Sequence, residues 1–494
     1  MKKAFIWSAA GLAVLICALA VLDLFVFAVP AWVFILAAAL LAALNITFFL
    51  KHGDNVRGKR YKILVAAFSA LFIAAGIGDI TVNPYFNSTF FRSTQPTLSY
   101  DTALTSEQAL EDMAELRKIV KKVHPDFLYG TPEGFETAFS SACSSIKSRE
   151  SITVNELAQT AEGVLAHLGD AHTYARCSYS EPHYLRTVAE KKAGGWSVSE
   201  INGKTIAELA AENASLFSFE TESWEIEQIK SYLTSVENLA YLGIDANGVT
   251  YEFVNKEGQT VAETYTAADF VTYDEYIRLN AQYMENTDES FVSYEISEPR
   301  SLAVLTLKEC RYDSEYKKCV KDMFTEVKRL GIENVAVDVR DNCGGNSLVA
   351  NEFIRYLNVD TLREPCMMRR LGFFMTGYRN VILENNKCSD LLFDGNVFLL
   401  CDSGSFSSAM FFAEMIKDNE LGTLIGEAPG NVPNGCGDIA TFELDNSGIK
   451  MSVSTSKIVR ADRETQDTLV EPDIKCSSEE ALETLYKVIG GLEQ

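Results

Sequence analysis

The sequence predicts an α/β protein: a layered β–α core in its last third, a helical segment ahead of it, and a membrane anchor of three helices at the N-terminus. Three observations lead there. Beyond about residue 300, apolar runs of strand length alternate with helical stretches, the pattern of parallel strands joined by crossovers. Between about residues 105 and 168 the apolar positions recur at helical spacing. Hydrophobic residues make up 47% of the chain, but they crowd into its first eighty positions.

The anchor comes first. Ala4–Phe27, Ala31–Leu50 and Tyr61–Ile80 each approach the roughly 17–25 residues that cross a bilayer as a helix. A cleaved signal peptide fits less well, because no small-residue cleavage site with a polar start behind it follows the first run. Lys2 and Lys3 precede span one, and Lys51, Arg57, Lys59, Arg60 and Lys62 fill the loop between spans two and three. Positive loops stay cytoplasmic, so residues 83–494 are expected on the extracytoplasmic side of a multi-pass cell-membrane protein, with the lipid bilayer as a partner.

Charge narrows the soluble part. The chain carries a net charge of -24, and beyond residue 82 holds 37 Lys/Arg against 65 Asp/Glu. Such a domain repels phosphates, which excludes nucleic-acid binding. The eleven cysteines include no Cys-x-x-Cys and read mostly as small buried hydrophobes.

After a polar linker at 83–103, Ser106–Val123 reads as an amphipathic helix ended by Pro125, with further helices at Phe135–Lys147 and Val154–Leu168. Val198–Ile201, the turn Asn202-Gly203 and Ile206–Leu209 predict a strand, a tight turn and a helix; Tyr251–Val254 and Thr260–Tyr265 predict two strands. In the core, the expected strands are Leu302–Leu307, Val335–Val339 and Val397–Leu400, and the expected helices Glu315–Leu330, Leu348–Tyr356 and Ser407–Asp418.

Three constellations could carry chemistry. The run Asp338-Val339-Arg340-Asp341-Asn342-Cys343-Gly344-Gly345-Asn346 leaves a buried strand through two glycines, whose backbone N–H groups can face a small bound group. On glycine content alone it is a plain strand-to-helix turn. The run Asp402-Ser403-Gly404-Ser405-Phe406-Ser407-Ser408-Ala409 also follows a buried strand and opens a helix, so a serine here meets the positive end of the helix dipole, although most such serines only cap. Gly-x-Ser-x-Gly is absent, which excludes the nucleophile elbow of the α/β-hydrolases. Third, Gly169-Asp170-Ala171-His172 follows a helix and offers a histidine, the natural base near neutral pH. A metal site of His167, Asp170 and His172 matches no helical ligand spacing.

In this order the motifs resemble those of the tail-specific (C-terminal processing) and tricorn-like serine peptidases, over roughly residues 105–480. Strand-Asp-x-Arg-x-Asn-x-Gly-Gly lies about sixty residues ahead of Phe-Ser-Ser-Ala; Leu424-Ile425-Gly426-Glu427 is similar to the strand after the nucleophile helix, and Glu471-Pro472-Asp473-Ile474 to the closing Pro-Asp element. The resemblance implies a ClpP/crotonase-like core at 291–494, a degenerate PDZ-like module at 183–290 around Glu200-Ile201-Asn202-Gly203-Lys204, and a helical subdomain at 104–182. These follow the linker and the anchor at 1–82. It implies Ser407 as nucleophile, and the N–H groups of Ser408 and of Gly344 or Gly345 as oxyanion donors. Tail-specific proteases place a lysine about twenty-five residues after the serine, where this chain has Val432. The tricorn-like branch takes a histidine from the N-terminal part instead, which assigns the base to His172. Its acidic partner near the end of the domain would be Asp462, Glu464 or Glu471. The implied function is a serine endopeptidase acting on peptides or proteins, with no metal or organic cofactor; the alternative is a non-catalytic peptide- or ligand-binding protein of the same fold.

Overall fold

The computed structural model describes residues 81–494 apart from 91, 284–289, 378–380, 463–467 and 493–494, with scattered residues of the first eighty. The expected spans at 4–27, 31–50 and 61–80 lie almost wholly outside the described residues. Among the described residues no helix is long and apolar enough to cross a membrane. The longest, Ser106–Val123, is amphipathic: Met113, Leu116 and Val120 are buried, while Glu107, Glu111, Arg117 and Lys121 ride on the same 18-residue helix. Charges at that density do not enter hydrocarbon. The three-helix anchor, the multi-pass location and the bilayer as partner are therefore corrected and withdrawn.

The α/β core stands. A six-stranded sheet runs Val292–Ser297, Leu302–Leu307, Asn334–Asp338, Asn396–Cys401, Thr423–Gly426, Ile474–Lys475 in spatial order. Its first pair is antiparallel and every other pairing parallel. Val335, Ala336, Val337, Leu399 and Leu400 are wholly buried, because helices cover both faces of a parallel sheet. The helices Ser314–Leu330, Leu348–Ile354 and Ser408–Asp418 pack one face, and Ala481–Leu492 packs the other. Asp313 caps Ser314–Leu330 by accepting from Glu315 N and Tyr316 N, and Gly331 ends that helix at φ 66°.

The N-terminal helices form as expected: Ser106–Val123, Phe135–Lys147 and Val154–Leu165, the last extended by a 3₁₀ turn to Leu168. The first and third carry full capping boxes, at Thr105 with Gln108 and at Thr153 with Glu156. In the middle region Asn202 and Gly203, both at positive φ, turn Trp196–Ile201 back into Lys204–Thr205. With Val249–Asn255 and Thr260–Tyr265 these make a four-stranded antiparallel sheet.

A third sheet had no counterpart in the sequence reading. Phe374–Gly377, Cys366–Leu371, Lys450–Val459 and Cys436–Glu443 pair antiparallel, and Tyr174–Arg176 joins them on Lys450–Val459. It ties the N-terminal helices to the core. Of the ten described cysteines, four are buried, five half-buried, and Cys343 is exposed.

Candidate active site

The two glycine- and serine-bearing loops leave neighbouring parallel strands, Asn334–Asp338 and Asn396–Cys401, at their carboxyl ends. That edge is where open α/β sheets bind ligands. Polar side chains lock the loops together. Asp402 Oδ1 accepts from Asp341 N at 3.0 Å, and Ser405 Oγ donates to Val339 O at 2.8 Å. Asn342 Nδ2 donates to Leu307 O at 2.7 Å, while its Oδ1 accepts from Gly344 N at 2.8 Å. Arg340 is a brace of another kind, forked onto Asp338 at 2.9 and 2.6 Å.

Ser407 stands at the N-cap of Ser408–Asp418 with φ 56° and ψ −116°, outside the basins an L-residue normally occupies. Strain of this kind costs about 1–3 kcal/mol and persists where surrounding contacts over-determine it. Those contacts are present. Ser407 N donates to Asn431 Oδ1 at 2.8 Å, and Phe411 N donates to Ser407 O at 2.9 Å. From the facing loop, Gly344 at φ 97° presses in: a Cβ there would lie 2.7 Å from Ser407 Cβ and 2.9 Å from Ser408 N. Gly345 at φ 138° passes so near Cys310 that a Cβ would meet its carbonyl oxygen at 2.4 Å. Only glycine fits either position.

The N–H of Gly344 is used by Asn342, whereas those of Gly345 and Ser408 have no acceptor among the described residues. Ser408 Oγ donates to Gly345 O at 2.9 Å, joining the two donors.

His172 reaches this edge on a tight turn. Asp170 Oδ1 accepts from His172 N at 3.0 Å, Thr173 N donates to Asp170 O at 3.0 Å, and the chain then enters the strand Tyr174–Arg176. Pairing of that strand with Lys450–Ser452 delivers the ring to the core. The imidazole packs on Phe406 at 4.6 Å between centroids, and Phe406 stacks on Trp224 at 4.0 Å. His172 and Ser407 line the same two cavities, of about 330 and 830 Å³. No hydrogen bond joins them: neither ring nitrogen of His172 has a partner among the described residues. Burial holds the imidazole below its ordinary pKa, partly offset by the Asp170 charge, so it is neutral and able to accept a proton.

The acids beside His172 are not the expected ones. Glu471 pairs with Lys475 at 2.8 Å, Asp462 lies near Arg460, and neither lines the His172 cavities; Glu464 lies outside the described residues. Instead Asp170 Oδ1 and Glu220 Oε1 stand 3.8 and 4.0 Å from His172 Nδ1. Glu220 accepts from Ala171 N at 3.2 Å and from Val432 N at 2.9 Å. Burial, then the Asp170 charge, push its pKa up to about 8 against those two N–H groups. No motif marks Glu220, Trp224 or Asn431; they gather here only through tertiary contacts.

Among the described residues, two groups have ligand atoms close enough for a metal: Asp170, His172 and Glu220, and His124, Asp170 and Cys436. In both, the Asp170 oxygens already accept from His124, Thr173 and the His172 N–H. His167 is exposed beside Gly134 and belongs to neither group.

Comparison with known proteins agrees with the motifs. Residues 301–476 match the family described as Peptidase family S41. That match lies within the β–α core and spans about a third of the chain, so what is shown is a similarity of this segment to S41 peptidases. It resembles the structure of mature CPAF at 13% identity and TM-score 0.54, over 78% of this chain and 96% of that one. It resembles mature CPAF complexed with lactacystin at 12% identity and TM-score 0.54, over 78% and 97%. At such identities the likeness is one of fold. Among curated proteins no match is found.

Proposed function

We propose that the chain is a serine endopeptidase that cleaves peptide bonds through an acyl-enzyme on Ser407. In this reading His172 takes the hydroxyl proton as Ser407 attacks the carbonyl, then returns it to the leaving amine. The N–H groups of Ser408 and Gly345 hold the oxyanion, with the N-terminal end of Ser408–Asp418 adding its dipole. Gly344 serves by its missing side chain and Asn431 by holding the Ser407 backbone. Asp170 stabilises the imidazolium that forms, joined by Glu220 where it ionises near pH 8. The observation carrying the proposal is the strained Ser407 at a helix tip, beside two unused N–H groups and in one cavity with an unpartnered, neutral imidazole. Segments 104–182, 183–290 and 291–494 would be its base-bearing, PDZ-like peptide-presenting and nucleophile-bearing domains.

The unmade bond between His172 and Ser407 favours the rival, a binding protein of the same fold. Such bonds also tighten only when substrate arrives. Peptide hydrolysis by Ser407→Ala decides between them. The loss expected is about 10⁴-fold or more in kcat, together with loss of covalent labelling by a fluorophosphonate. Hydrolysis at the wild-type rate in the variant removes Ser407 from the mechanism; a folded wild-type protein that neither labels nor cleaves leaves the binding reading.

A further inference from the structure

The smaller of the two cavities runs from Ser407 along the helix Ser408–Asp418 and reaches Glu414. Ser407, Phe411 and Glu414, spaced by four and three residues, lie on one side of that helix. Glu414 is therefore about 10 Å along the axis from the nucleophile, at 1.5 Å per residue. Between them the walls are apolar, formed by Leu348, Pro365, Met367, Met410 and Phe411. Glu414 is 1% exposed, and neither of its carboxyl oxygens has a hydrogen-bond partner among the described residues.

Nearby charges leave it uncompensated. Arg460 is forked onto Asp418, one turn beyond, at 2.8 and 2.7 Å, and also donates to Thr468 O at 3.1 Å. Asp438, which lines the same cavity, is held by Arg369 at 2.8 Å. Burial first, then the Asp418 charge, push the Glu414 pKa up to about 8; Arg460 and the Ala461 N–H pull the other way. A buried carboxyl with nothing to bond is costly to retain, and such a group calls for an explanation. Placed in a cavity that opens at the nucleophile, it can be satisfied by what enters.

We propose that Glu414 determines specificity: the cavity receives the side chain preceding the cleaved bond and selects lysine or arginine, whose cationic head meets the Glu414 carboxylate. This rests on the serine-peptidase reading and names its substrate class. The apolar walls accept the methylene stem, and a charge-assisted hydrogen bond accepts the head. Glu414 gives up its proton to solvent as the cation enters. The preference for a cationic side chain over an apolar one therefore rises with pH towards about 8 and levels off above it.

The test uses the full chain and peptides identical except for lysine, arginine or norleucine before the cleaved bond. Wild-type kcat/KM is expected to favour lysine over norleucine by about tenfold or more, with the ratio near one in Glu414→Gln. Glu414→Leu, which fills a similar volume with an apolar group, inverts the preference and keeps the test readable if Glu414→Gln folds poorly. Equal wild-type rates for lysine and norleucine, or a lysine preference unchanged in Glu414→Gln, overturn the assignment. In that case fluorophosphonate labelling of Ser407 shows the peptidase reading still standing. If the wild type neither labels nor cleaves, the peptidase reading fails, and the same peptides are titrated onto the protein by fluorescence anisotropy. Tighter binding of the lysine peptide, lost in Glu414→Gln, then supports the cation site; equal binding overturns it.

Discussion

Two histidines flank the Asp170 carboxylate and are held in opposite ways. His124, fully buried, has Nε2 3.0 Å from Asp170 Oδ2, and its Nδ1 accepts from Asp126 N at 3.3 Å. His172 is packed nearly as tightly, at 8% exposure, yet both of its nitrogens lack a partner among the described residues. Buried polar atoms are usually paired, so His124 is what a structural histidine looks like. Asp170 completes the contrast. Burial alone would raise its pKa, but the His124 hydrogen bond, the neighbouring imidazoles and the Thr173 hydroxyl hold it well below the usual carboxylate range. It is a fixed anion that anchors one imidazole and leaves the other free for substrate.

The largest effect that would break this comparison is on rate. His172→Ala should lower kcat/KM for peptide hydrolysis by about 10³–10⁴-fold, with little change in the urea midpoint, since no hydrogen bond of the ring is lost. A variant that unfolds instead would make His172 the structural member of the pair. His124→Ala should do the reverse. Removing the His124 partner of the buried Asp170, which keeps the Thr173 hydroxyl and the His172 N–H, costs about 1–3 kcal/mol of unfolding free energy, read by denaturant titration, while the folded fraction keeps far more activity than His172→Ala. The third and smallest effect sharpens the picture through pH. Because burial lowers the His172 pKa, the acid-side decline of kcat/KM should fall below the ordinary histidine range, where the base takes up a proton. Glu220 ionises near 8, and its carboxylate 4.0 Å from Nδ1 then makes the imidazole more basic. A rise of up to about tenfold near pH 8 is expected in the wild type and should vanish in Glu220→Gln.

What could be read from the sequence follows physical range. The strands Leu302–Leu307 and Asn334–Asp338 and the helix Ser314–Leu330 were legible because burial, capping and the Gly331 stop are written in consecutive residues. Ser407, Gly344 and Gly345 were legible as motifs, since a sharp backbone path leaves its mark locally. His172 stood out as a candidate base from its own motif, and only the family resemblance assigned it that role. The acids beside it were missed because Glu220 comes from the middle region and is held by backbone N–H groups of Ala171 and Val432, which no residue pattern records. The same limit hid the antiparallel sheet, whose strand Tyr174–Arg176 finds its partner some 276 residues later, Met451 lying opposite Ala175. The apolar N-terminal runs misled for another reason: local composition was taken for a spanning helix, and none stands among the described residues.

That long-range pairing has a consequence for biosynthesis. The strand that follows the imidazole pairs with Lys450–Ser452, a stretch synthesised long after it and after Ser407. Until then a nascent polypeptide displays its hydroxyl with no base beside it. On the proposed mechanism, hydrolysis then has to wait for these late strands to be in place.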